Sequence, residues 1–384
     1  MIELIVFWVA IGLIFVTYFG YPMLMVVLGK LFYRPIRRDE SFEPLVTLVI
    51  PCYNEEAVLE QKLENTMALD YPHQKLEVFV ASDHSTDRTD EIAKAWADRG
   101  VRYFRPEERS GKPALICACV EQASGEFIML TDANTMWKPD VVRKLVHNFA
   151  DERIGACDGV RRETDEEGGT CESVYWKYEM FVKRMSSRLH AVLGGTGAIM
   201  MVRREAYDPI NPRRADDFEL AIRARLNGWG VVFDEEAIAV EPSPNNFDQI
   251  KRVVRMVSWM HGSAYILLKE SILRFRPFVA LQLICHKFLR WDVPVFAIAV
   301  FVASIFLLRA GLFYQVAFGL QCLFYLAALV GWVRDRAGKK TPKLISIPYF
   351  FCLMNYSSLL GLRRFYLRNP VETWERRKGE KPQT

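Results

Sequence analysis

An acid and an amide follow one apolar run of this sequence. In MLTDANTMW, residues 129–137, the run ends at Leu130 and is followed by Asp132 and Asn134. If the backbone is still extended there, these two side chains point to the same side. Carboxylate and amide oxygens are the ligands that Mg²⁺ and Mn²⁺ prefer. The pair therefore predicts a site for one of these cations, with a simple turn as the alternative.

Two more polar clusters follow apolar runs. Residues 51–55 read Pro-Cys-Tyr-Asn-Glu and follow the run 45–50, and Asp83 follows LEVFVAS, residues 76–82. In open parallel sheets, ligands bind outside the carboxyl ends of the strands, so we expect the three clusters on one edge. The sequence has neither a G-x-G-x-x-G nor a Walker pattern, which disfavours dinucleotide and P-loop sites.

The elements that position these clusters alternate along the chain. Apolar runs of strand length are separated by segments with helix-cap residues, which is typical of an α/β domain with a mostly parallel sheet covered on both faces. We predict strands at 45–50, 76–82, 101–104 and 126–130, and helices at 55–68, within 83–100, and at 112–123.

Apolar segments at both ends predict membrane attachment. Residues 4–29 carry no charge and are followed by Lys30, Arg34, Arg37 and Arg38, which indicates a transmembrane anchor at 1–33 with its carboxyl end in the cytoplasm. We expect a cytoplasmic domain at 42–260, interfacial helices at 261–290, transmembrane segments within 291–363 and a basic tail at 364–384. Helices at 293–308 and 312–333 would form a hairpin.

The last apolar segment, 344–361, is less suited to lipid. It contains Pro348, Asn355, Ser357 and Ser358. We expect it to be interfacial, re-entrant or buried against other helices instead of spanning the bilayer.

Charge and cysteine content narrow the function classes. The formal net charge is +4, from 50 Lys and Arg against 46 Asp and Glu, which does not favour nucleic-acid binding. The eight Cys form no Cys-x-x-Cys pair, so reduced thiols are expected.

Several motifs occur together in a fixed order. They are VIPCYNEE, SDHSTDRTDEIA, RSGKPALICA, MLTDANT, LGGTGAIMMVRREAY, ADDFELAIRARLNGW and a basic Arg-x-x-Arg stretch. The set resembles the membrane-embedded family-two glycosyltransferases, such as the hyaluronan, cellulose, chitin and poly-N-acetylglucosamine synthases. The resemblance implies a GT-A fold, a UDP-sugar donor, Mg²⁺ or Mn²⁺, and inversion at the anomeric carbon.

The resemblance also implies roles on the donor side. Pro51, Tyr53 and Glu55, in VIPCYNEE, would contact the nucleotide-sugar, and Tyr53 and Glu55 would line the uracil pocket. Asp83 would hold the base or ribose, and Lys112 would approach the diphosphate.

Asp132 and Asn134 stand where the family has Asp-x-Asp. Because Asn134 offers a neutral amide oxygen, the affinity for metal is expected to be lower than with two carboxylates. The cation would hold the diphosphate and offset charge on the leaving UDP.

On the acceptor side the chemistry requires a base. Inverting transfer needs a carboxylate that removes the proton of the acceptor hydroxyl as that oxygen attacks. We assign Asp217 as this base, beside Asp216; alternatively, both residues cap the helix that follows. The loop with Gly195, Thr196 and Gly197 would let an acceptor sugar approach closely.

The family's Gln-x-x-Arg-Trp motif is altered here. The best match is Arg252-Val253-Val254-Arg255-Met256. Arg255 keeps the cation for the diphosphate, Arg252 replaces Gln, and Met256 replaces the Trp on which an acceptor sugar would rest. Trp259, about one helical turn further on, is our candidate substitute. An interfacial helix whose Arg and Trp meet lipid headgroups is the alternative.

These observations predict an inverting glycosyltransferase of the plasma (inner) membrane. Its acceptor would be a growing β-linked polysaccharide, with coupled secretion and other exopolysaccharide machinery subunits as possible partners beside membrane lipids. The alternatives are transfer of one sugar to a lipid-linked acceptor, or a catalytically impaired partner subunit of a synthase.

Overall fold

The chain forms two units. A computed structural model describes residues 1–164, 174–208, 217–242, 246–339 and 341–367. Within them, one unit, here the sheet unit, comprises residues 25–242 and 269–279. The other, here the helical unit, comprises residues 1–24, 246–268 and 280–367.

The described part of the sheet unit contains one eight-stranded sheet. The strands are β1 (Val46–Cys52), β2 (Leu76–Ser82), β3 (Val101–Phe104), β4 (Phe127–Leu130), β5 (Met136–Trp137), β6 (Ile154–Thr164), β7 (Met200–Arg203) and β8 (Gly230–Pro242). Their order is β3-β2-β1-β4-β7-β6-β8-β5. Strands β3, β2, β1 and β4 run parallel, β6 is parallel to β8, and β7 is antiparallel to both of its neighbours. The predicted α/β class with a mostly parallel sheet is confirmed.

Helices cover both faces of this sheet. They are α3 (Leu59–Met67), α4 (Thr89–Ala95), α5 (Lys112–Gln122), α6 (Val141–Val146), α7 (Val174–Ser187) and α8 (Asp217–Leu226). Along β4, Phe127 and Met129 enter the core that contains α3, α4 and α6, whereas Ile128 and Leu130 enter the core that contains α5 and α8. This period of two explains why the strand reads as a continuous apolar run.

Strands β2, β3 and β4 match their predicted positions within one residue, but the first helix starts late. Strands β2 and β3 have the predicted bounds, whereas the helix predicted at 55–68 begins at Leu59. Asn54 adopts a left-handed φ of 56°, and its side-chain oxygen accepts a hydrogen bond from the Thr86 backbone N–H at 2.7 Å. The backbone N–H of Glu55 donates to Thr89 Oγ1 at 2.8 Å. These bonds tie residues 54 and 55 to the segment 86–89, which follows β2. The helix therefore does not begin at residue 55.

Among the described residues there are four candidate membrane spans, most of whose residues belong to the helical unit. Helices α1 (Ile2–Phe15) and α2 (Tyr21–Leu31) continue through one π-helical turn, and α10 (Pro277–Leu283) and α11 (Leu289–Phe306) through another. With α12 (Leu312–Arg336) and α13 (Lys343–Leu367), these stretches are long and apolar enough to cross a membrane. The remaining helix is α9 (Asn246–Leu273). The boundary predicted at 290 falls inside a continuous helix.

Helix α13 satisfies its own polar side chains. Asn355 Nδ2 donates to the Phe351 carbonyl at 2.8 Å, and Ser357 Oγ donates to the Leu353 carbonyl at 2.7 Å. Bonds of this kind shield polar groups from lipid. The polar residues of 344–361 therefore do not exclude a span, contrary to the reasoning from composition.

Close packing at Gly125 gives a test of the sheet. A Cβ at this position would lie 2.5 Å from the Thr47 backbone nitrogen and 2.6 Å from Thr47 Oγ1. Gly125→Ala should therefore lower the free energy of unfolding by about 1–3 kcal/mol, measured by denaturant unfolding of the detergent-solubilised protein. The exposed neighbour provides the control, Glu126→Ala, which should change stability little. Equal stability of the two variants would contradict this packing.

Candidate active site

The segment after β4 turns immediately. The strand ends at Leu130, and the Thr135 N–H donates to the Asp132 carbonyl at 3.2 Å, closing a turn over residues 132–135. The prediction that Asp132 and Asn134 share a direction on an extended segment is therefore wrong in its premise. The turn was the alternative reading, and it leaves both side chains half-buried at the edge of the sheet.

The structure brings four predicted residues together at this edge. Lys112, the first residue of α5, forms an ion pair with Asp132. Asp217, the first residue of α8, accepts a hydrogen bond from the Gly197 N–H at 2.6 Å. A Cβ at Gly197 would lie 3.6 Å from both the Asp217 carboxylate and Lys112 Nζ. Two carboxylates, one ammonium and an open glycine backbone thus meet in one place.

The two carboxylates titrate differently. Burial alone would raise the pKa of Asp132, but the charge and hydrogen bond of Lys112 outweigh it and hold that pKa below its usual value. Burial raises the pKa of Asp217, and the charge of Asp132 adds to this rise against the opposing effects of Lys112 and the Gly197 N–H. A raised pKa improves a carboxylate as a proton acceptor.

Asp83 organises the loop before α5. Its side chain is buried, and its two oxygens accept hydrogen bonds from the backbone N–H groups of Ser110, at 2.8 Å, and Gly111, at 3.0 Å. Arg109 lies 3.7 Å from the same carboxylate and places its guanidinium 3.9 Å from the centre of the Tyr53 ring. Asp83 thus fixes the loop that carries Lys112, and its predicted contact with base or ribose stays a prediction.

The remaining donor-side residues lie on the same edge. Pro51 is buried within β1, and Glu55 is half-buried in the turn that follows that strand. Because β2, β1 and β4 are parallel neighbours, residues 51–55, Asp83 and Asp132 all lie at their carboxyl ends, as predicted.

The glycine loop before β7 is fixed by a pair that sequence reasoning missed. Asp158 accepts a hydrogen bond from the Thr196 N–H at 2.8 Å and pairs with Lys183, whose Nζ donates to Thr196 Oγ1 at 3.1 Å. A Cβ at Gly195 would overlap the side chain of Met200 and lie 3.2 Å from the Asp217 carbonyl oxygen, so a larger residue there would require Met200 to move. No motif links an acid in β6 to a lysine in α7.

A second missed residue, Arg161, adds positive charge near Asp132. Its charge contributes to the lowered pKa of Asp132. Arg161 also pairs with Glu163 at 3.2 Å and with Glu241 at 3.3 Å. Arg161 therefore contributes to the positive field at Asp132, while its guanidinium is itself paired with two glutamates.

The predicted residues of the altered Arg-x-x-Arg motif belong to the helical unit. Arg252, Arg255, Met256 and Trp259 lie on α9 at spacings that place them on one helix face. Trp259 therefore lies on the helix face that carries Met256, as the prediction requires. The roles of these four residues stay predictions. Asp216 lies outside the described residues.

The oxygen atoms of Asp132 and Asn134 fit a hard divalent cation whose other ligands are phosphates and waters. Asp132 and Asn134 offer a carboxylate and an amide oxygen from one turn. Among the described residues, no group of three or more His, Cys, Asp or Glu side chains could enclose a metal ion. Mg²⁺ and Mn²⁺ suit such a site, because they are often held by one or two carboxylates together with phosphates and waters.

Comparisons with known proteins agree with this fold. Residues 47–210 match the family described as Glycosyl transferase family 2. A mannosyltransferase from Pyrobaculum calidifontis, solved in complex with GDP-Man and Mn²⁺, matches with a TM-score of 0.68 at 22% identity, over 94% of this chain and 99% of that one. The likeness confirms the GT-A-like fold.

Two curated relatives are similar over part of their length. The β-monoglucosyldiacylglycerol synthase of Nostoc sp. is 27% identical over 223 residues, 53% of this chain and 47% of the relative. The poly-β-1,6-N-acetyl-D-glucosamine synthase of Staphylococcus aureus is 24% identical over 234 residues, 59% of this chain and 56% of the relative. The chain thus spans about half the length of these relatives. Asp217 lies beyond the family match, so its assignment depends on the geometry.

The two hydrogen bonds of Asp83 can be tested directly. Asp83→Asn would replace one of the two acceptor oxygens with an NH₂ group, which would face a backbone N–H as donor against donor. The lost hydrogen bond should lower the free energy of unfolding by about 1–3 kcal/mol. Asp98→Asn, at an exposed position, is the matched control and should be neutral within about 0.5 kcal/mol. Thermal unfolding of the two variants measures the difference, and equal stability would show that the Ser110 and Gly111 contacts are not formed.

Proposed function

We propose that this chain, whose residues 47–210 match the family described as Glycosyl transferase family 2, is an inverting glycosyltransferase. It moves a sugar from a UDP-sugar to an acceptor hydroxyl at a membrane surface. The observation that carries this proposal is the position of Asp217. Its carboxylate is held by the Gly197 N–H, and a Cβ at Gly197 would contact both this carboxylate and the ammonium that pairs with Asp132.

Asp217 is the base of a single displacement. Its carboxylate takes the proton from the acceptor hydroxyl, the acceptor oxygen forms a bond to the anomeric carbon, and the bond from that carbon to the β-phosphate oxygen breaks. The electron pair of the broken bond leaves with UDP. Burial raises the pKa of Asp217, which strengthens it as a proton acceptor.

The donor side would be held by charge. Asp132 and Asn134 would bind Mg²⁺ or Mn²⁺, and such a cation supplies charge stabilisation for the departing diphosphate. Lys112 and Arg161 add positive charge beside Asp132, and Lys112 begins a helix whose N-terminus favours an anion. Tyr53, whose ring stacks under Arg109, would line the base pocket.

We take the acceptor to be a growing β-linked polysaccharide. The face of α9 with Arg252, Arg255, Met256 and Trp259 would meet the diphosphate and the acceptor sugar. The Staphylococcus aureus relative is by name a poly-β-1,6-N-acetyl-D-glucosamine synthase, which supports this choice. Four candidate spans are compatible with secretion coupled to synthesis.

Transfer of one sugar to a lipid-linked acceptor is the second candidate. By the resemblance, Met256 stands where the family's Gln-x-x-Arg-Trp motif has its Trp, and the Nostoc relative is by name a β-monoglucosyldiacylglycerol synthase. Product length on a gel separates the two candidates, because a polymerase yields a ladder and the other enzyme a single addition. A catalytically impaired subunit is disfavoured, because Asp83, Lys112, Asp132 and Asp217 retain the charges that the chemistry needs.

We also propose an orientation in the plasma (inner) membrane. Lys30, Arg34, Arg37 and Arg38 follow the first candidate span at once, which favours a cytoplasmic position for the sheet unit. UDP-sugars would then reach the site from the cytoplasm.

The enzyme assignment can be tested by UDP release. Purified protein in detergent with Mn²⁺, screened against a panel of UDP-sugars, should release UDP with at least one of them. Asp217→Asn should lower this rate by about 10²–10⁴-fold, because the general base is lost. Asp98→Asn is again the control and should retain the rate. Unchanged release by Asp217→Asn would remove Asp217 as the base.

Trp259 is tested by separating two reactions of the donor. Trp259→Ala should reduce transfer to the acceptor while slow hydrolysis of the UDP-sugar persists, because the acceptor platform is lost and the donor site is kept. Trp332→Ala, on α12, is the control for loss of an indole from another helix of the helical unit. Equal loss of transfer and hydrolysis in the Trp259 variant would contradict an acceptor role.

A further inference from the structure

A fully buried lysine lies next to the Asp132 turn. Lys62, on α3, has no exposed surface. It shares one helix face with Leu59, Leu63 and Thr66, which are also buried. Lysine is almost never fully buried unless its ammonium has partners. The partners of Lys62 therefore indicate what keeps it inside.

Those partners belong to the segment that follows Asp132. Lys62 Nζ donates a hydrogen bond to the Thr135 carbonyl at 2.7 Å and lies 3.9 Å from the centre of the Trp137 ring. Burial lowers the pKa of Lys62 to about 7, and the negative charges of Asp132 and Glu241 limit this fall. The ammonium is thus supported by one carbonyl, one aromatic face and the field of nearby acids.

Thr135 and Trp137 connect the two halves of the site. The Thr135 N–H closes the turn on the Asp132 carbonyl, and Thr135 Oγ1 donates to Glu241 Oε1 at 2.8 Å. The Trp137 indole N–H donates to the Ala198 carbonyl at 3.0 Å, directly after Gly197. One short segment therefore contacts both the Asp132 turn and the glycine loop.

Asn65, on the same helix, holds this segment as well. Its Nδ2 donates to the Trp137 carbonyl at 2.9 Å, and its Oδ1 accepts from the Trp137 N–H at 2.8 Å. Helix α3 thus binds residues 135 and 137 through side chains about one helical turn apart. The contacts fix the backbone at two points, which is what a precisely placed turn requires.

We propose that Lys62 is a positioning residue for the cation site, which fixes the Asp132–Thr135 turn in the geometry that binds a divalent cation together with a nucleoside diphosphate. The inference rests on the proposed function, because it concerns the cation that would act there. Lys62 is not one of the residues that would hold the cation or the nucleotide. It acts through the Thr135 carbonyl, as groups behind metal ligands commonly do.

Lys62→Met tests this positioning role. The substitution keeps most of the side-chain volume and removes both the charge and the hydrogen bond to Thr135. We expect the Mn²⁺ concentration for half-maximal binding, in the presence of saturating UDP, to rise about 10–100-fold. The readout is the electron paramagnetic resonance signal of free Mn²⁺, titrated with detergent-purified protein, which does not depend on turnover.

Two further variants make the result decisive. Lys94→Met removes a lysine from the exposed side of α4, where Nζ lies 5.0 Å from the Tyr103 ring, and should leave the Mn²⁺ midpoint unchanged. Asn65→Ala removes both bonds to the Trp137 backbone and should raise the midpoint by a smaller factor than Lys62→Met. If Lys62→Met does not fold, Asn65→Ala decides the question.

The outcomes separate this inference from the proposed function. If the wild-type protein binds Mn²⁺ with UDP and a folded Lys62→Met protein has the same midpoint, Lys62 serves stability alone and the inference is wrong. An unchanged midpoint in folded Asn65→Ala, when Lys62→Met does not fold, has the same meaning. If the wild-type protein binds no Mn²⁺ with UDP or GDP, the proposed metal-dependent transfer is overturned, and this inference with it.

Discussion

The site depends on one antiparallel strand pair. Leu130, the last residue of β4, pairs with Met200, the first residue of β7. The residues after β4 therefore lie beside those before β7, which places the Asp132 turn next to Gly197. Thr131 Oγ1 donates to the Ala198 carbonyl at 3.4 Å across this junction. A parallel neighbour in the place of β7 would have put the start of that strand at the opposite edge of the sheet.

Local pattern predicts the first half of the sheet well. Strands β1 to β4 are short and separated by marked helices, and β1, β2 and β4 are largely buried, so apolar runs and cap residues locate them within one or two residues. Strand β7 lies in the apolar run AIMMV, residues 198–202, but such a run does not show that the strand is antiparallel or which strands it joins. The same holds for the longer strands β6 and β8. Their pairing is decided by contacts between residues far apart in sequence, such as Ala156 with Val202. Judged from composition alone, the polar residues of α13 look too costly to place in lipid. The structure shows that Asn355 and Ser357 donate hydrogen bonds to carbonyls one turn earlier, which lowers that cost.

The site residues that directly follow an apolar strand could be predicted from the sequence. Asp83 and Asp132 follow apolar runs, and the parallel order of β2, β1 and β4 then places them on one edge. The supporting residues were harder to find, because Asp158 and Lys183 meet only in the folded chain. Lys62 is the exception: it falls on the apolar face of α3, at the spacing i, i+3, i+4, and a lysine on such a face is a detectable signal.

The buried ionic groups serve geometry more than stability. Apolar cores on both faces already hold the sheet together, and a buried ion pair is weak evidence for added stability, since desolvation can exceed the Coulombic gain. The buried groups Asp83, Asp158 and Lys62 instead each bind backbone of a loop at the same edge: residues 110–111, 196 and 135. A loop held by an apolar contact can slide, whereas one held by a desolvated charge must keep its bond or leave that charge unpaired. Fixed loops on a rigid sheet suit the function proposed above, in which one carboxylate would hold a cation and another would take the proton of an acceptor hydroxyl.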